Sequence, residues 1–261
     1  MTTSATGKFD ASTILGGLKD FQRATVDHAM SRLYADHDAT SKFLVADEVG
    51  LGKTLVARGV IARTIEVLWD DVERIDIIYI CSNRAIAEQN ISRLNVFDDK
   101  DFSFSSRMTM VAKEVSQLRG NKVNFVSFTP GTSFDLKSTL GIAEERVLLW
   151  HVLRHMWGTE LLDSPASRRI FQGRLASLDR FDELANWANA WAHDLDEELL
   201  EMFRVELDAT DLRQRYETLT TRFDTTTPDP DAIAAQSRLV GDLRSRLAAQ
   251  CVGALEPDLV I

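Results

Sequence analysis

The feature that most restricts the fold of this chain is a glycine-containing turn between a short apolar run and a helix-forming segment. The stretch FLVADEVGLGKTLVARGVIA occupies residues 43–62. Residues 43–46 are apolar and predict a short buried strand, and the apolar spacing after the turn predicts a helix over Lys53–Leu68. A buried strand that enters a helix through glycines is typical of α/β folds with a parallel sheet.

The residues of the turn match the end of a phosphate-binding loop, in which Gly50, Gly52, Lys53 and Thr54 have separate roles. Phosphate oxygens approach the backbone closely, and glycine permits both this approach and the required dihedral angles. The backbone N–H groups and the helix N-terminus then attract the anion. We expect Lys53 to neutralise the β- and γ-phosphates and the Thr54 hydroxyl to ligate Mg²⁺.

One position departs from the general pattern G-x-x-x-x-G-K-[ST], because Asp47 stands where the pattern has its first glycine. The predicted strand before the turn and the predicted helix after it still favour a phosphate-binding loop, since the motif requires that context. The alternative is a surface turn in which the letters GLGKT occur without any function.

Other segments extend the α/β pattern along the chain. Residues 75–81, IDIIYIC, are β-branched and almost wholly apolar, as expected for a central parallel strand. Two more strands are expected at residues 107–112 and 124–128, and a last one begins with LVI at residues 259–261. Helices are expected between these strands, so the pattern predicts a parallel sheet that is covered by helices on both faces.

Residues 140–228 differ in character and predict a helical insertion. Between residues 179 and 231 there are fifteen Asp/Glu against five Arg and no Lys, which accounts for the whole formal net charge of -10. The remaining residues are neutral overall, so the total charge neither supports nor excludes a nucleic-acid face on them. Apolar residues recur every three or four positions from residue 178 to residue 207, which predicts one long amphipathic helix. We divide the chain into a disordered N-terminus (1–14), an α/β core (15–139 and 229–261) and a helical acidic insertion (140–228).

The composition is that of a soluble globular protein, with 44% hydrophobic and 27% charged residues. No apolar run approaches the roughly 20 residues that cross a bilayer, so we expect no membrane partner. Cys81 and Cys251 lack metal-ligand spacing and stand in apolar contexts, which predicts buried thiols and a cytoplasmic protein. His151 and His155 have the i, i+4 spacing of a metal site but no third ligand, and we expect a packed or solvated pair.

The segment DEVGLGKT, residues 47–54, closely resembles motif I of the Swi/Snf-type ATPases, a branch of the superfamily-two helicases. The upstream segment FQRATVDHAM resembles the adenine-recognition segment of that family, in which Gln22 would recognise the adenine edge. A glutamine on an amphipathic helix is otherwise a solvated residue, and that alternative stays open. The resemblance implies a RecA-like P-loop NTPase domain that binds ATP and Mg²⁺. It assigns to the nucleotide Gln22, Asp47, Glu48, Val49, Gly50, Leu51, Gly52, Lys53 and Thr54, with Lys53 and Thr54 as the catalytic residues and Thr54 as the Mg²⁺ ligand.

Two later segments resemble motifs Ia and Ib, which form loops on the nucleic-acid side of the family's first RecA-like domain. They are IIYICSNRAIAEQNISRL and FVSFTPGTSF. The resemblance assigns nucleic-acid contacts to Ser82, Asn83, Thr129, Gly131 and Thr132, through hydroxyl, amide and backbone N–H groups. The alternative is purely structural, because strands of α/β folds commonly end in polar loops that contain glycine and proline.

The last residues, PDLVI, resemble the hydrophobic strand that precedes motif II in the family. Motif II supplies an Asp that helps hold Mg²⁺ and a Glu that prepares the attacking water, and the sequence stops before any such pair. A second RecA-like domain with its arginines would also follow. We therefore expect an N-terminal fragment that binds ATP weakly and, on its own, hydrolyses it very slowly or not at all, because phosphoryl transfer needs those groups.

The leading functional hypothesis is an ATP-driven nucleic-acid motor, either a helicase or a translocase. Double-stranded DNA is the track that the resemblance favours, and RNA is an alternative. Two other hypotheses are a P-loop ATPase switch of another lineage and a non-catalytic nucleotide-sensing module. For the acidic insertion the hypotheses are a solvated helical subdomain, a docking surface for a basic protein partner, and a gate that repels nucleic acid.

Overall fold

The computed structural model describes residues 8–48, 50–97, 108–128, 140–190, 195–224 and 228–261. The chain divides into two compact units. The first comprises residues 1–104, 121–131 and 257–261, and the second comprises residues 105–120 and 132–256. The first unit contains the sheet and the glycine turn, whereas the described residues of the second unit form helices and connecting turns.

A three-stranded parallel sheet forms the centre of the first unit. Its strands are β1 (Ile75–Ile80), β2 (Val123–Phe128) and β3 (Pro257–Val260), in the order β2-β1-β3. Ile77 of the central strand lies opposite Phe125 on one side and Leu259 on the other, and all three side chains are buried. The strands expected from the apolar runs near residues 75, 124 and 259 are thus confirmed, and the protein is a mixed α/β chain.

In the described part of the first unit, four helices accompany this sheet. They are α1 (Ser12–Gly16), α2 (Asp20–Met30), which continues as a π-helical turn (Ser31–Ala35), α3 (Lys53–Leu68) and α4 (Arg84–Leu94). Helix α3 has the bounds that the sequence predicts, and it packs against α2, α4 and β1. Its buried positions, which include Val56, Val60 and Ile65, face this apolar core.

Residues 8–14 are structured, so the disorder predicted for residues 1–14 does not extend over them. The Phe9 side chain is 2% exposed and packs against the rings of Trp69 and Phe97. The backbone N–H of Ala11 donates to the Glu66 carboxylate at 3.1 Å. One buried aromatic ring removes a large apolar area from water, and this orders the short polar segment around it.

The strand predicted at residues 43–46 is wrong, because this segment belongs to no strand of the described sheet. Phe43 and Val45 pack partly against the core, whereas Leu44 between them is 84% exposed. The side chains therefore alternate as in an extended chain. A strand also needs a backbone ladder to a neighbouring strand, and among the described residues this segment has none.

The strand predicted at residues 107–112 is also wrong, because a 3₁₀-helix occupies Met108–Lys113. Five consecutive residues from Met108 to Ala112 are buried in the second unit. A continuous apolar run of this length is equally compatible with a buried strand and a buried helical turn. The surrounding helices decided the outcome, which the run itself could not do.

Eight helices fill the described part of the second unit. They are α5 (Val115–Gly120), α6 (Ala143–Trp157), α7 (Thr159–Leu162), α8 (Pro165–Gln172), α9 (Leu178–Ala188), α10 (Glu197–Asp208), α11 (Leu212–Phe223) and α12 (Pro230–Ala254). The single helix predicted from residue 178 to residue 207 is therefore two helices. Asp196 caps α10 by accepting from the Leu199 N–H at 2.8 Å, and this local hydrogen bond starts a new helix within an unbroken apolar period.

Helix α12 belongs to the second unit, so the predicted return of the last helix to the α/β core is wrong and only β3 returns. Its start is as predicted, with Asp229 capping the Ala232 N–H at 2.8 Å and Pro230 in the first turn. Inside the unit, the buried Arg244 of α12 donates to the Glu145 carboxylate at 2.9 Å. Each of these buried charges needs the other, because removing one would leave the other buried without this opposite charge. The ion pair therefore links α12 to α6.

Arginines from outside the acidic segment neutralise part of its charge within the second unit. Arg119 of α5 pairs with Asp196 and Glu198, and Arg246 of α12 pairs with Glu206. The segment is therefore less negative in the folded unit than its own composition suggests. Ion pairs at exposed positions contribute little to stability, so their main effect is on the surface potential.

The close contact between α2 and α3 depends on Gly59, and this gives a testable prediction. A Cβ at this position would lie 2.7 Å from Val26 Cγ2 and 3.0 Å from Leu18 Cδ1. We expect Gly59→Ala to lower the free energy of unfolding by about 1–3 kcal/mol through overpacking, despite the better helix propensity of alanine. Chemical denaturation followed by circular dichroism measures the change.

Gly253→Ala is the matched control, because Gly253 is also helical and a Cβ there meets nothing within 4 Å. We expect this variant to be neutral or stabilised by up to about 1 kcal/mol. Equal effects of the two substitutions would contradict the close approach of α2 and α3.

Candidate functional site

The glycine turn leads directly into helix α3, with Gly52 as the N-cap residue. Gly50 has a φ of 93° and Gly52 has a φ of 83°, so both adopt the left-handed region that other residues rarely enter. These are the two glycines that the sequence assigns to a phosphate-binding loop. Their dihedral angles alone therefore favour glycine at both positions, independently of any ligand.

The first turn of α3 has no side-chain cap. The N–H groups of Leu55 and Val56 both donate to the Gly52 carbonyl, at 2.8 and 3.1 Å. Within the described part of the chain, the N–H groups of Lys53 and Thr54 have no hydrogen-bond partner. Uncapped N–H groups at the positive end of a helix dipole can bind an anion, and a phosphate would satisfy them.

The Lys53 ammonium folds back over the turn. Its Nζ donates to the backbone carbonyls of Asp47 at 2.6 Å and of Glu48 at 2.9 Å. Neutral carbonyl acceptors bind an ammonium less strongly than phosphate oxygens, because both partners of a lysine–phosphate bond are charged. An incoming phosphate can therefore take over Lys53 at little cost.

Asp47 and Glu48, whose backbone carbonyls accept from Lys53, add two carboxylates to the turn. Asp47 Oδ2 is buried and has no hydrogen-bond partner among the described residues, and Glu48 is exposed. Two carboxylates next to a phosphate repel it, so a cation bound with the nucleotide would offset their charge. Thr54, which is half-buried in the first turn of α3, fits the role of Mg²⁺ ligand that its sequence position predicts.

The described residues contain no group of three or more His, Cys, Asp and Glu side chains that could hold a metal ion. The pair His151 and His155 is therefore not part of such a group. His151 is buried, and its Nε2 lies 3.1 Å from the Ala185 carbonyl oxygen. Magnesium commonly binds through one or two protein ligands together with substrate phosphates and water. The residues at the loop therefore fit an ion that arrives with a nucleotide.

The Gln22 side chain lies at the turn, so the alternative of a solvated glutamine is wrong. It is 4% exposed, and its Nε2 donates to the Leu51 carbonyl at 3.0 Å. Its Oε1 accepts from the backbone N–H of Lys19 at 3.0 Å, at the start of α2. The structure thus brings Gln22 to the predicted nucleotide site, and both polar atoms of its amide already have backbone partners.

Three large apolar side chains near the turn remain exposed. Phe21, Leu51 and Leu55 are 46%, 42% and 42% exposed. Sequence reasoning missed Phe21 and Leu55, because an apolar residue on an amphipathic helix is normally assigned to the core. Exposed apolar side chains beside an anion site are suited to contact the non-phosphate part of a ligand.

Ser82 and Asn83, the predicted nucleic-acid contacts after β1, are both exposed. The Asn83 side-chain oxygen accepts from the N–H groups of Ala85 and Ile86, at 2.9 and 3.4 Å, and so caps helix α4. This supports the structural alternative for the Asn83 oxygen and leaves its amide N–H₂ available. The other predicted contacts, Thr129, Gly131 and Thr132, and the loop residue Val49 lie outside the described residues.

The glycine turn and the end of β1 lie at the same edge of the sheet. Helix α3 packs against β1 and is joined to it by a short connection, so helix and strand run in opposite directions. The N-terminus of α3 is therefore at the edge where β1 and β2 have their carboxyl ends. Ligands of open α/β sheets bind at this edge.

Comparison with known proteins gave no match to a protein-family model, to a curated protein or to a solved structure. Within the described residues, no helix combines the length and the apolar character that crossing a membrane requires.

Proposed function

We propose that this chain is the ATP-binding part of a nucleic-acid-dependent ATPase of the helicase or translocase kind, with Mg²⁺ as the accompanying ion. The observation that carries the proposal is the start of helix α3. Two left-handed glycines precede a helix whose first N–H groups have no side-chain cap, and the Lys53 ammonium lies over the turn. Triphosphate is the ligand that fits this combination of backbone donors and one mobile cation.

The loop residues divide the work of holding a triphosphate. The backbone N–H groups of Gly52, Lys53 and Thr54 would cradle its oxygens, and Lys53 would leave the Asp47 and Glu48 carbonyls to bind the β- and γ-phosphates. Bound Mg²⁺ would neutralise charge on the same phosphates. The Thr54 hydroxyl would ligate this ion, and its place in the first turn of α3 fixes that oxygen close to the anion site.

The RecA-like fold and the Swi/Snf-like branch belong to this proposal. Three observations support them: the parallel sheet, the turn with Asp47 in place of the first glycine, and Gln22 beside that turn. Double-stranded DNA is the proposed track. The exposed Ser82 and Asn83, at the same edge of the sheet as the glycine turn, support a nucleic-acid surface there.

Removal of the Lys53 ammonium tests the nucleotide site. We expect Lys53→Ala to weaken the binding of Mg·ATP about tenfold or more, because a hydrogen bond to a charged group contributes roughly 1.5–3 kcal/mol. Isothermal titration calorimetry or a fluorescent ATP analogue measures the dissociation constant.

Lys42→Ala is the matched control for Lys53→Ala, because it removes the same charge from an exposed position just upstream of the turn. We expect it to change the affinity by less than about twofold. The proposal fails when the unaltered protein shows no binding of Mg·ATP, or when the two lysine variants weaken binding equally.

A substitution at Asn83 tests the nucleic-acid surface without loss of the helix cap. Asn83→Asp keeps a capping oxygen, since Asp and Asn are equally good N-caps, and it adds a negative charge at the sheet edge. We expect affinity for duplex DNA to fall roughly threefold or more at low salt, because phosphates are repelled. A fluorescence-anisotropy titration at two salt concentrations measures the effect.

Gln89→Glu is the control for Asn83→Asp, since it makes the same charge change at an exposed position within α4. We expect it to alter DNA binding less than Asn83→Asp does. An Asn83→Asp protein with unchanged DNA affinity would argue that this edge is not the nucleic-acid surface.

A further inference from the structure

We propose that Gln22 is a positioning residue for the phosphate-binding loop: it fixes the peptide plane between Leu51 and Gly52 and so directs the Gly52 N–H toward the bound phosphate. This inference rests on the proposed function. It assigns the effect of Gln22 to the phosphates of the nucleotide and not to its base. It predicts that Gln22 matters equally for nucleotides with different bases.

The peptide between Leu51 and Gly52 is held through its carbonyl group. The Leu51 N–H donates to the Glu48 carbonyl at 3.4 Å, and the Leu51 carbonyl accepts from Gln22 Nε2 at 3.0 Å. All described peptide bonds are trans, and in a trans peptide the C=O and the following N–H point in opposite directions. The Gly52 N–H therefore points away from Gln22, and it has no hydrogen-bond partner among the described residues.

The Gln22 side chain is itself held in place by two hydrogen bonds to backbone groups. Its Oε1 accepts the backbone N–H of Lys19, and the side chain is 4% exposed at the first turn of α2. Rotation of the amide would break both hydrogen bonds in a buried site, which is unfavourable. The amide thus transmits the position of α2 to the Leu51 carbonyl.

Glycine at position 52 leaves room for the Gln22 amide. A Cβ there would lie 2.6 Å from Gln22 Nε2, so the amide reaches the loop only because residue 52 is glycine. Gly50 has a similar positive φ, yet a Cβ at that position meets nothing within 4 Å in the described part of the chain. Gly52 is therefore required for its dihedral angles and for Gln22, whereas Gly50 is required for its dihedral angles alone.

Ligand binding by Gln22→Met tests the assignment to the phosphates. Methionine has a similar length and no charge, and it cannot donate to Leu51. We expect the affinities for Mg·ATP, Mg·GTP and Mg·tripolyphosphate to fall by a similar factor, about tenfold, since tripolyphosphate has no base. A loss confined to ATP, or no loss with any of the three, would overturn the proposal.

Thr25→Val is the control for a general disturbance of α2, because among the described residues the Thr25 hydroxyl bonds only to the carbonyl of Phe21 in its own helix. We expect it to leave all three affinities unchanged. A decrease equal to that of Gln22→Met would show that the effect comes from the helix and would overturn the specific role of Gln22.

The amide signal of Gly52 provides a readout that a purely structural role would not change. In ¹H–¹⁵N spectra, we expect tripolyphosphate to move the Gly52 amide proton downfield in the unaltered protein, as a new hydrogen bond forms. In Gln22→Met this shift should be much smaller, even in protein saturated with ligand. A shift of the same size in both proteins would overturn the proposal.

A double-mutant comparison of stability tests the contact without any ligand. We expect Gly52→Ala to lower Tm less in a Gln22→Ala background than in the unaltered protein, because the steric conflict has gone. Gly50→Ala should lower Tm equally in both backgrounds. Equal costs of Gly52→Ala in the two backgrounds would overturn the contact, whereas an unaltered protein that binds none of the three ligands would overturn the proposed function and leave this coupling measurable.

Discussion

The start of helix α3 at a left-handed glycine is the constraint on which the candidate site depends. Gly52 carries a φ of 83° and no side chain, and from it the chain enters a helix without a side-chain cap. The backbone N–H groups that follow are therefore left for a ligand, and their common direction makes the site attractive to anions. The Lys53 ammonium adds one positive charge on a flexible side chain to the turn. The carboxylates of Asp47 and Glu48 in the same turn would oppose this attraction, and a cation bound together with the anion would offset their charge.

The packing of α2 on α3 connects this local geometry to the rest of the first unit. Gly59 allows the two helices to approach, and the approach places Gln22 beside the turn. The loop is thus held from outside by a buried amide in addition to its own dihedral angles. A preorganised set of donors loses less entropy when a ligand binds, because the backbone is already in place. The site then depends on helix packing at a position that is distant in sequence.

The second unit illustrates how tertiary contacts modify a conclusion drawn from composition. The acidic segment contains all of the chain's excess negative charge, yet Arg119 and Arg246 from outside that segment pair with its carboxylates. The buried Glu145 and Arg244 are far apart in sequence and bind each other inside the unit. Charge counted along a sequence window therefore overestimates the field of the folded surface, because folding brings together groups from separate windows.

Local patterns accounted for much of the fold and for the centre of the site. The bounds of α3, the apolar strands β1 and β2, and the cap of α12 by Asp229 all follow from signals within a few residues. The failures share a cause, since each depended on a distant neighbour. Residues 43–46 have the composition of a strand but no adjacent ladder in the described sheet, and the mainly apolar run at residues 108–112, which is compatible with a strand or a helical turn, lies in a 3₁₀-helix. The break between α9 and α10 was hidden by an apolar period that continues across it.

By itself, the sequence determined that a glycine turn with a lysine and a threonine enters a helix, which is the local geometry on which the proposed anion site rests. These properties are set by the dihedral freedom of glycine and by the N–H groups of the first helical turn, which are local. Only the tertiary structure decided what surrounds the turn: the amide of Gln22 on the Leu51 carbonyl, and the assignment of α12 to the helical unit. Contacts between residues far apart in the chain depend on how helices pack, and packing is fixed by the whole set of buried side chains and not by any one segment.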